Sequence, residues 1–123
     1  IALLDAQKGI EMFRKVDVPI LGIVENMAVH VCSQCGHAEH IFGDRGGERI
    51  AADYGVPLLG SLPLTMTIRE QTDAGTPMVV TEPDSAETAI YMAVAAAVQS
   101  ALGSTGQSAG VVQHFPEITI SDD

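Results

Sequence analysis

Two short apolar runs constrain what this chain can fold into more strongly than any other feature. The runs are Ile20–Val24 and Leu58–Leu62. Each is too short for a buried helix, and neither contains a charged residue, which is typical of strands covered on both faces of a parallel sheet. Helical patterns precede, separate and follow the two runs. The sequence therefore predicts an α/β layer fold with parallel strands.

Helices are predicted around these strands, over residues 1–16, 48–54, 67–74 and 84–103. Two of the helices begin with the spacing of a capping box, Thr67 with Glu70 and Asp84 with Glu87. Met78–Val80 is expected to form a brief extended segment between them.

The two strands make an incomplete sheet, because a parallel sheet needs several strands and cover on both faces. Residues 1–103 are therefore predicted to be the C-terminal portion of a larger, doubly wound domain. We expect such a portion to expose apolar surface and to associate. Residues 104–123 are predicted to be a flexible linker and tail, within which Phe115–Ile120 could add an edge strand.

Charge and hydropathy argue against several classes of partner. The net charge is −10 with only six Lys and Arg, whereas nucleic acid and anionic membranes require clustered positive charge. Asp5 and Lys8 interrupt the first ten residues, where a signal peptide would be apolar. The longest nearly uncharged run, Thr88–Leu102, is shorter than the ~20 residues that cross a bilayer. We therefore expect a cytoplasmic protein with no nucleic-acid or membrane partner.

Cys32 and Cys35 are the only cysteines, and they lie in a polar loop over residues 28–45. Two cysteines at this spacing indicate metal or redox chemistry in a reducing compartment. Their thiolates can share one tetrahedral metal, but they fill only half of its ligand positions. Histidines of the same loop are the nearest further donors: His30, His37 and His40.

Four interpretations of the cysteine pair stay open on spacing alone. Two chains could contribute two cysteines each to a [4Fe–4S] cluster or a Zn²⁺. One chain could bind Zn²⁺ with both cysteines and two histidines, as a structural module for protein interaction without catalysis. The pair could be a redox dithiol, or two unligated thiols in a mobile loop.

Two further segments have the composition of ligand sites. Asn26 follows the first strand, at the edge where open α/β sheets bind ligands, and its amide matches the donor and acceptor edge of adenine. On spacing alone, a turn-forming Asn that caps the strand is the favoured explanation. Gly43–Gly47 precedes a helix and could bind an anion, although such glycines mostly let the chain turn. It is not a Walker A loop, because no Gly-Lys-Ser/Thr follows.

Several segments together carry a family resemblance: Ala2–Ile10, Val18–Met27, Cys32–Gly36, Ile41–Gly43, Gly55–Leu64, Ile68–Glu70 and Asp73–Pro77. With them the chain resembles the C-terminal part of the Mrp/ApbC family, MinD-like P-loop ATPases that carry iron–sulfur clusters. The resemblance covers about residues 1–102. The combination of Val-Glu-Asn-Met, Cys-x-x-Cys-Gly and Ile-Phe-Gly is more specific than any single motif.

The resemblance implies a P-loop NTPase-like, three-layer α/β/α fold and a role as a cluster carrier. Cys32 and Cys35 of two protomers would hold a [4Fe–4S] cluster across a homodimer, which passes it to apo iron–sulfur acceptor proteins. Zinc could replace the cluster during aerobic purification. Asn26 would touch the adenine of ATP, and Pro63 would lie near the base.

The resemblance also implies ATP hydrolysis with Mg²⁺, but only for an intact family member. The phosphate loop and the acidic Mg²⁺ site belong to an N-terminal half that this sequence does not contain. We therefore expect the chain alone neither to hydrolyse ATP nor to bind it tightly, because the phosphate cradle supplies most nucleotide contacts in such folds.

Overall fold

The computed structural model describes residues 1–105 of the 123-residue chain, with side chains through residue 103. The strands are β1 (Ile23–Glu25), β2 (His30–Val31), β3 (Ala38–Glu39) and β4 (Leu58–Ser61). The helices are α1 (Ala2–Lys15), α2 (Gly46–Tyr54), α3 (Met66–Asp73), α4 (Met78–Thr81) and α5 (Ala86–Thr105).

β1 and β4 pair in parallel, as the two apolar runs predict. Val24 lies opposite Gly60 and Glu25 opposite Ser61. The pairing continues past the strand ends, because the Leu62 N–H donates to the Glu25 carbonyl at 2.8 Å. The connection between the strands contains α2, as a parallel crossover requires. The α/β class with parallel strands is therefore confirmed.

Helices cover both faces of this strand pair. A Cβ on Gly47 of α2 would lie 2.9 Å from the Glu25 carboxylate, and one on Gly60 would overlap Val94 of α5. Glu25 and its partner Ser61 share one face, and Gly60 points to the other because side chains alternate along a strand. α2 and α5 therefore pack on opposite faces, which gives the predicted three layers.

The core is small for a chain of this length. Apolar residues with less than a tenth of their surface exposed are Ile10, Ala28, Ile50, Ala51, Leu62 and Met78. Large apolar side chains remain exposed elsewhere, including Phe13 at 42% and Val24, within the parallel pair, at 41%. This exposed apolar surface agrees with the expectation for two strands of a larger sheet.

The predicted extended segment at Met78–Val80 is wrong, because these residues begin the short helix α4. Pro77 precedes them with φ −60°, and its carbonyl accepts the N–H of Val80 at 2.9 Å and of Thr81 at 3.2 Å. A proline needs no N–H partner at a helix start, so it favours a turn of helix there. That local preference overrides the strand preference of the two valines.

Two helix starts differ from the predicted capping boxes by one or two residues. Thr65, not Thr67, caps α3, and its hydroxyl oxygen accepts the Ile68 N–H at 3.2 Å. Ser85, one position after the predicted cap, accepts the Thr88 N–H at 3.1 Å. Both caps satisfy an otherwise unpaired donor of the first helical turn.

α5 continues through Thr105, two residues beyond its predicted end at Gly103. The first two residues of the predicted linker over 104–123 are therefore helical. The rest of that linker and tail, including Phe115–Ile120, lies outside the described residues. Within residues 1–105, no helix combines the length and the hydropathy that crossing a membrane requires.

Candidate metal centre

Cys32 and Cys35 lie in the turn of a short antiparallel hairpin formed by β2 and β3. The Cys32 N–H donates to the His37 carbonyl at 2.9 Å, and the Gly36 N–H donates to the Cys32 carbonyl at 2.9 Å. Gly36 has φ +71°, which glycine adopts without strain. The predicted loop over 28–45 therefore contains a closed turn that holds both cysteines.

The turn stabilises a thiolate at Cys32. The backbone N–H of Gln34 and that of Cys35 donate toward the Cys32 sulfur, with a smaller contribution from the Cys35 thiol. These hydrogen bonds lower the pKa of Cys32 against the weaker opposing effects of burial and of Glu39. Because the thiolate is the form that binds metal, the backbone prepares this residue as a ligand. Both cysteines are free of disulfides, and Cys35 is exposed.

His30 lines the same cavity as Cys32, whereas His37 and His40 lie against carboxylates. His37 Nε2 lies 3.4 Å from a Glu39 carboxylate oxygen, and His40 Nδ1 lies 3.9 Å from Asp44. Among residues 1–105, no three His, Cys, Asp or Glu side chains form a group that could hold a metal ion. The described part of one chain thus offers half of a four-ligand site.

The hairpin is attached to the parallel sheet. His30 forms a parallel bridge with Leu64, the Leu64 N–H donates to the Val29 carbonyl at 2.7 Å, and the Val31 N–H donates to the Leu64 carbonyl at 3.1 Å. The chain beyond β4 therefore positions the base of the cysteine hairpin. Sequence reasoning missed this attachment, because it depends on pairing between segments more than thirty residues apart.

A cavity of about 250 Å³ lies beside the cysteine turn. Its wall includes His30 and Cys32 from the hairpin, and Met66 and Arg69 from α3. Sequence reasoning missed the contribution of α3. Thr65 could have indicated this contribution, because a threonine cap at this position starts α3 directly after the segment that pairs with the hairpin.

Asn26 and Pro63 lie at the same edge of the sheet, just beyond β1 and β4. Asn26 is exposed, and its side-chain oxygen accepts the Met27 N–H at 3.0 Å. Pro63 is half-buried and lines a cavity of about 420 Å³ together with Ala28 and Ile90, whereas Asn26 is not part of that wall. The structure brings the two residues to one edge but not into one cavity.

The glycine-rich segment before α2 meets a carboxylate of the chain itself. Arg45 precedes the helix with φ +56°, and Gly46 and Gly47 are buried. The Glu25 carboxylate lies close enough to Gly47 that a Cβ there would approach it to 2.9 Å. A negative charge near a helix N-terminus is stabilising, so the Glu25 carboxylate beside the first turn favours the start of α2.

Comparison with known families and proteins gives a consistent result. A model of the ParA group, described as NUBPL iron-transfer P-loop NTPase, matches residues 1–99. The chain is 61% identical over 95 residues to an iron-sulfur cluster carrier protein of Pseudomonas fragi, covering 77% of the chain and 33% of that protein. It is 56% identical over 102 residues to a protein of the same name from Escherichia coli K12, covering 83% and 28%.

A mammalian relative and a solved structure extend these similarities. The mouse iron-sulfur cluster transfer protein NUBPL is 47% identical over 105 residues, covering 85% of the chain and 33% of that protein. The nucleotide-binding protein of Archaeoglobus fulgidus in complex with ADP matches with TM-score 0.52 and 29% identity, over 65% of the chain and 32% of that structure. The chain spans between 28% and 33% of the length of these relatives.

Proposed function

This chain belongs to the NUBPL-type iron-transfer P-loop NTPase family, and we propose that it is the cluster-holding part of an iron–sulfur cluster carrier. The observation that carries the proposal is the closed turn around Cys32 and Cys35. It presents two thiols, one of them stabilised as a thiolate by backbone donors. The names of the bacterial and mouse relatives support the carrier role.

The cargo would be a [4Fe–4S] cluster held between two copies of the chain. Such a cluster takes four thiolates, and each turn supplies two. The lack of a third ligand within the described residues supports completion by a second copy rather than by His37 or His40. Exposure of Cys35 would let the thiolates of an acceptor apoprotein displace it.

Nucleotide would act on this cargo site from the edge of the sheet at which Asn26 and Pro63 lie. In a protein with a phosphate loop upstream, Asn26 and Pro63 would contact the adenine, and the Mg²⁺–ATP phosphates would be held by the upstream part. Residues 1–103 would then be the C-terminal part of that nucleotide-binding domain. Support comes from the shared sheet edge of Asn26 and Pro63 and from the likeness to the ADP-bound archaeal protein. Binding or hydrolysis of ATP would change how firmly a cytoplasmic homodimer holds the cluster.

Anaerobic reconstitution with iron and sulfide tests the carrier proposal. We expect one [4Fe–4S] cluster per two chains, loss of that cluster in Cys32→Ala and in Cys35→Ala, and transfer to an apo-ferredoxin. His37→Ala and His40→Ala are the matched controls and should retain the cluster. One zinc per chain that disappears with either histidine would overturn the proposal in favour of a structural zinc module.

A further inference from the structure

The two cysteines differ in their position relative to the cavity beside the cysteine turn. Cys32 lies in its wall and Cys35 does not. The first part of α3, including Met66 and Arg69, also lines this cavity. Among the Lys and Arg residues of the described chain, Arg69 alone lines this cavity. A negatively charged group bound at Cys32 would therefore share this cavity with one guanidinium.

Arg69 is well placed but weakly held. The Thr65 cap fixes the start of α3 and so places Arg69 one turn into the helix. Its guanidinium lies 3.6 Å from Asp73 and 4.0 Å from Glu70, and all three side chains are more than half exposed. Exposed pairs of this kind contribute little to stability. The guanidinium can therefore turn toward a stronger negative partner at small cost.

The cargo of the proposed function is such a partner, and this step rests on that function. A cluster held by four thiolates carries net negative charge, and charge and hydrogen bonds at its sulfurs set its reduction potential. The chain itself carries a net charge of −10. A dimer doubles that charge, so the protein as a whole repels an anionic cargo. One local cation beside each Cys32 offsets part of that repulsion.

We propose that Arg69 is a positioning residue for the cluster, directing its guanidinium across the cavity toward the sulfur atoms at Cys32. Hydrogen bonds and positive charge from Arg69 slow release of the cluster and raise its reduction potential. Outer-sphere donors orient and tune metal ligands in this way in other sites. The two Arg69 side chains of a dimer act on the cluster from both protomers.

Three variants of the reconstituted holoprotein test this assignment: Arg69→Gln, Arg69→Lys and Arg49→Gln. Arg49 is a matched control, because it is also a helical arginine but lines a different cavity, against α1, that contains no cysteine. The measurements are the rate of iron release to a chelator and the reduction potential of the cluster. Circular dichroism verifies that each variant is folded.

We expect Arg69→Gln to release iron about two- to fivefold faster, which corresponds to one partly exposed charge interaction. Its reduction potential should fall, while Arg69→Lys recovers much of both effects and Arg49→Gln matches the unmodified protein. The rate difference should shrink at about 1 M salt, where the Debye length is about 3 Å. Equal behaviour of Arg69→Gln and Arg49→Gln would overturn the assignment, as would an effect independent of salt. Failure of the unmodified protein to bind any cluster would instead overturn the carrier function.

Discussion

Gly60 of β4 lies against Val94 of α5 so closely that a Cβ at position 60 would overlap the Cγ2 atom of Val94. The helix therefore approaches the strand at a position where only glycine leaves room. This contact fixes the spacing between the sheet and the α5 layer.

Gly60→Ala should lower the free energy of unfolding by about 1–3 kcal/mol, because the added methyl group overpacks this contact. Val94→Ala as a single variant should also lower stability. The double variant should be more stable than the sum of the two single effects predicts, because the smaller side chain leaves room for the added methyl group. Urea unfolding measures all three. Gly9→Ala is the control, since nothing lies within 4 Å of a Cβ at that helical position. It should raise stability by up to about 1 kcal/mol, and a loss there equal to that of Gly60→Ala would contradict the packing argument.

Thr88 joins α4 to α5 through a buried hydroxyl. Its oxygen lies 2.7 Å from the Glu82 carbonyl oxygen and 2.9 Å from the Ser85 hydroxyl, and the residue is 3% exposed. Thr88→Val keeps the shape but removes these bonds, so it should cost about 1–3 kcal/mol in thermal or urea unfolding. Thr81→Val, at an exposed hydroxyl with a single 3.5 Å bond, should change stability much less. Equal losses of stability in the two variants would show that the buried hydrogen bonds of Thr88 stabilise the fold no more than the exposed bond of Thr81.

Gly36 should control metal binding through backbone geometry alone. Nothing lies within 4 Å of a Cβ at Gly36, so Gly36→Ala adds only the strain of a positive φ, about 1–2 kcal/mol. That strain opens the cysteine turn, and we expect weaker binding in a zinc competition titration. Gly43→Ala introduces comparable strain at φ +96° outside the turn, and it should leave the affinity unchanged. The same loss of affinity in both variants would show that metal binding does not depend on the geometry of the cysteine turn.

Tyr54 should titrate at unusually alkaline pH. Burial against α1 raises its pKa, and the Glu11 carboxylate, which accepts the Tyr54 hydroxyl at 3.2 Å, raises it further. The folded state thus keeps the proton longer than the unfolded state, and this contribution to stability is lost as pH rises above the usual tyrosine range. Absorbance titration of a Tyr91→Phe background isolates the signal.

Glu11→Gln should lower the pKa of Tyr54 toward its ordinary value, because the second cause of the shift is removed while burial remains. Glu70→Gln, on α3, is the control for a general change in charge and should leave the titration in place. An unchanged titration in Glu11→Gln would assign the whole shift to burial.

The sequence predicted the elements whose signals are local. The apolar runs at Ile20–Val24 and Leu58–Leu62 identified the two parallel strands. The first strand begins only at Ile23, however, and Val24 is 41% exposed, so the run overstated both its length and its burial. The same local logic failed at Met78–Val80, where β-branched residues suggested extension and the preceding proline favoured a helical turn.

The candidate site was only partly predictable for a related reason. The spacing of Cys32 and Cys35 identified the ligands. The hairpin that closes their turn depends on pairing with Ala38–Glu39, and its attachment depends on Leu64. The placement of Arg69 depends on which threonine caps α3. No local pattern contains these distant pairings, so the sequence alone could not show what surrounds the cysteines.

The attachment of the cysteine hairpin to the sheet has a mechanical consequence. Cys32 follows Asn26 by only six residues, and backbone hydrogen bonds to the extension of β4 brace the segment between them. These hydrogen bonds restrain the segment along its length, between the sheet edge and the thiols. A small displacement of the backbone at Asn26 would therefore also shift the position of the cysteine turn.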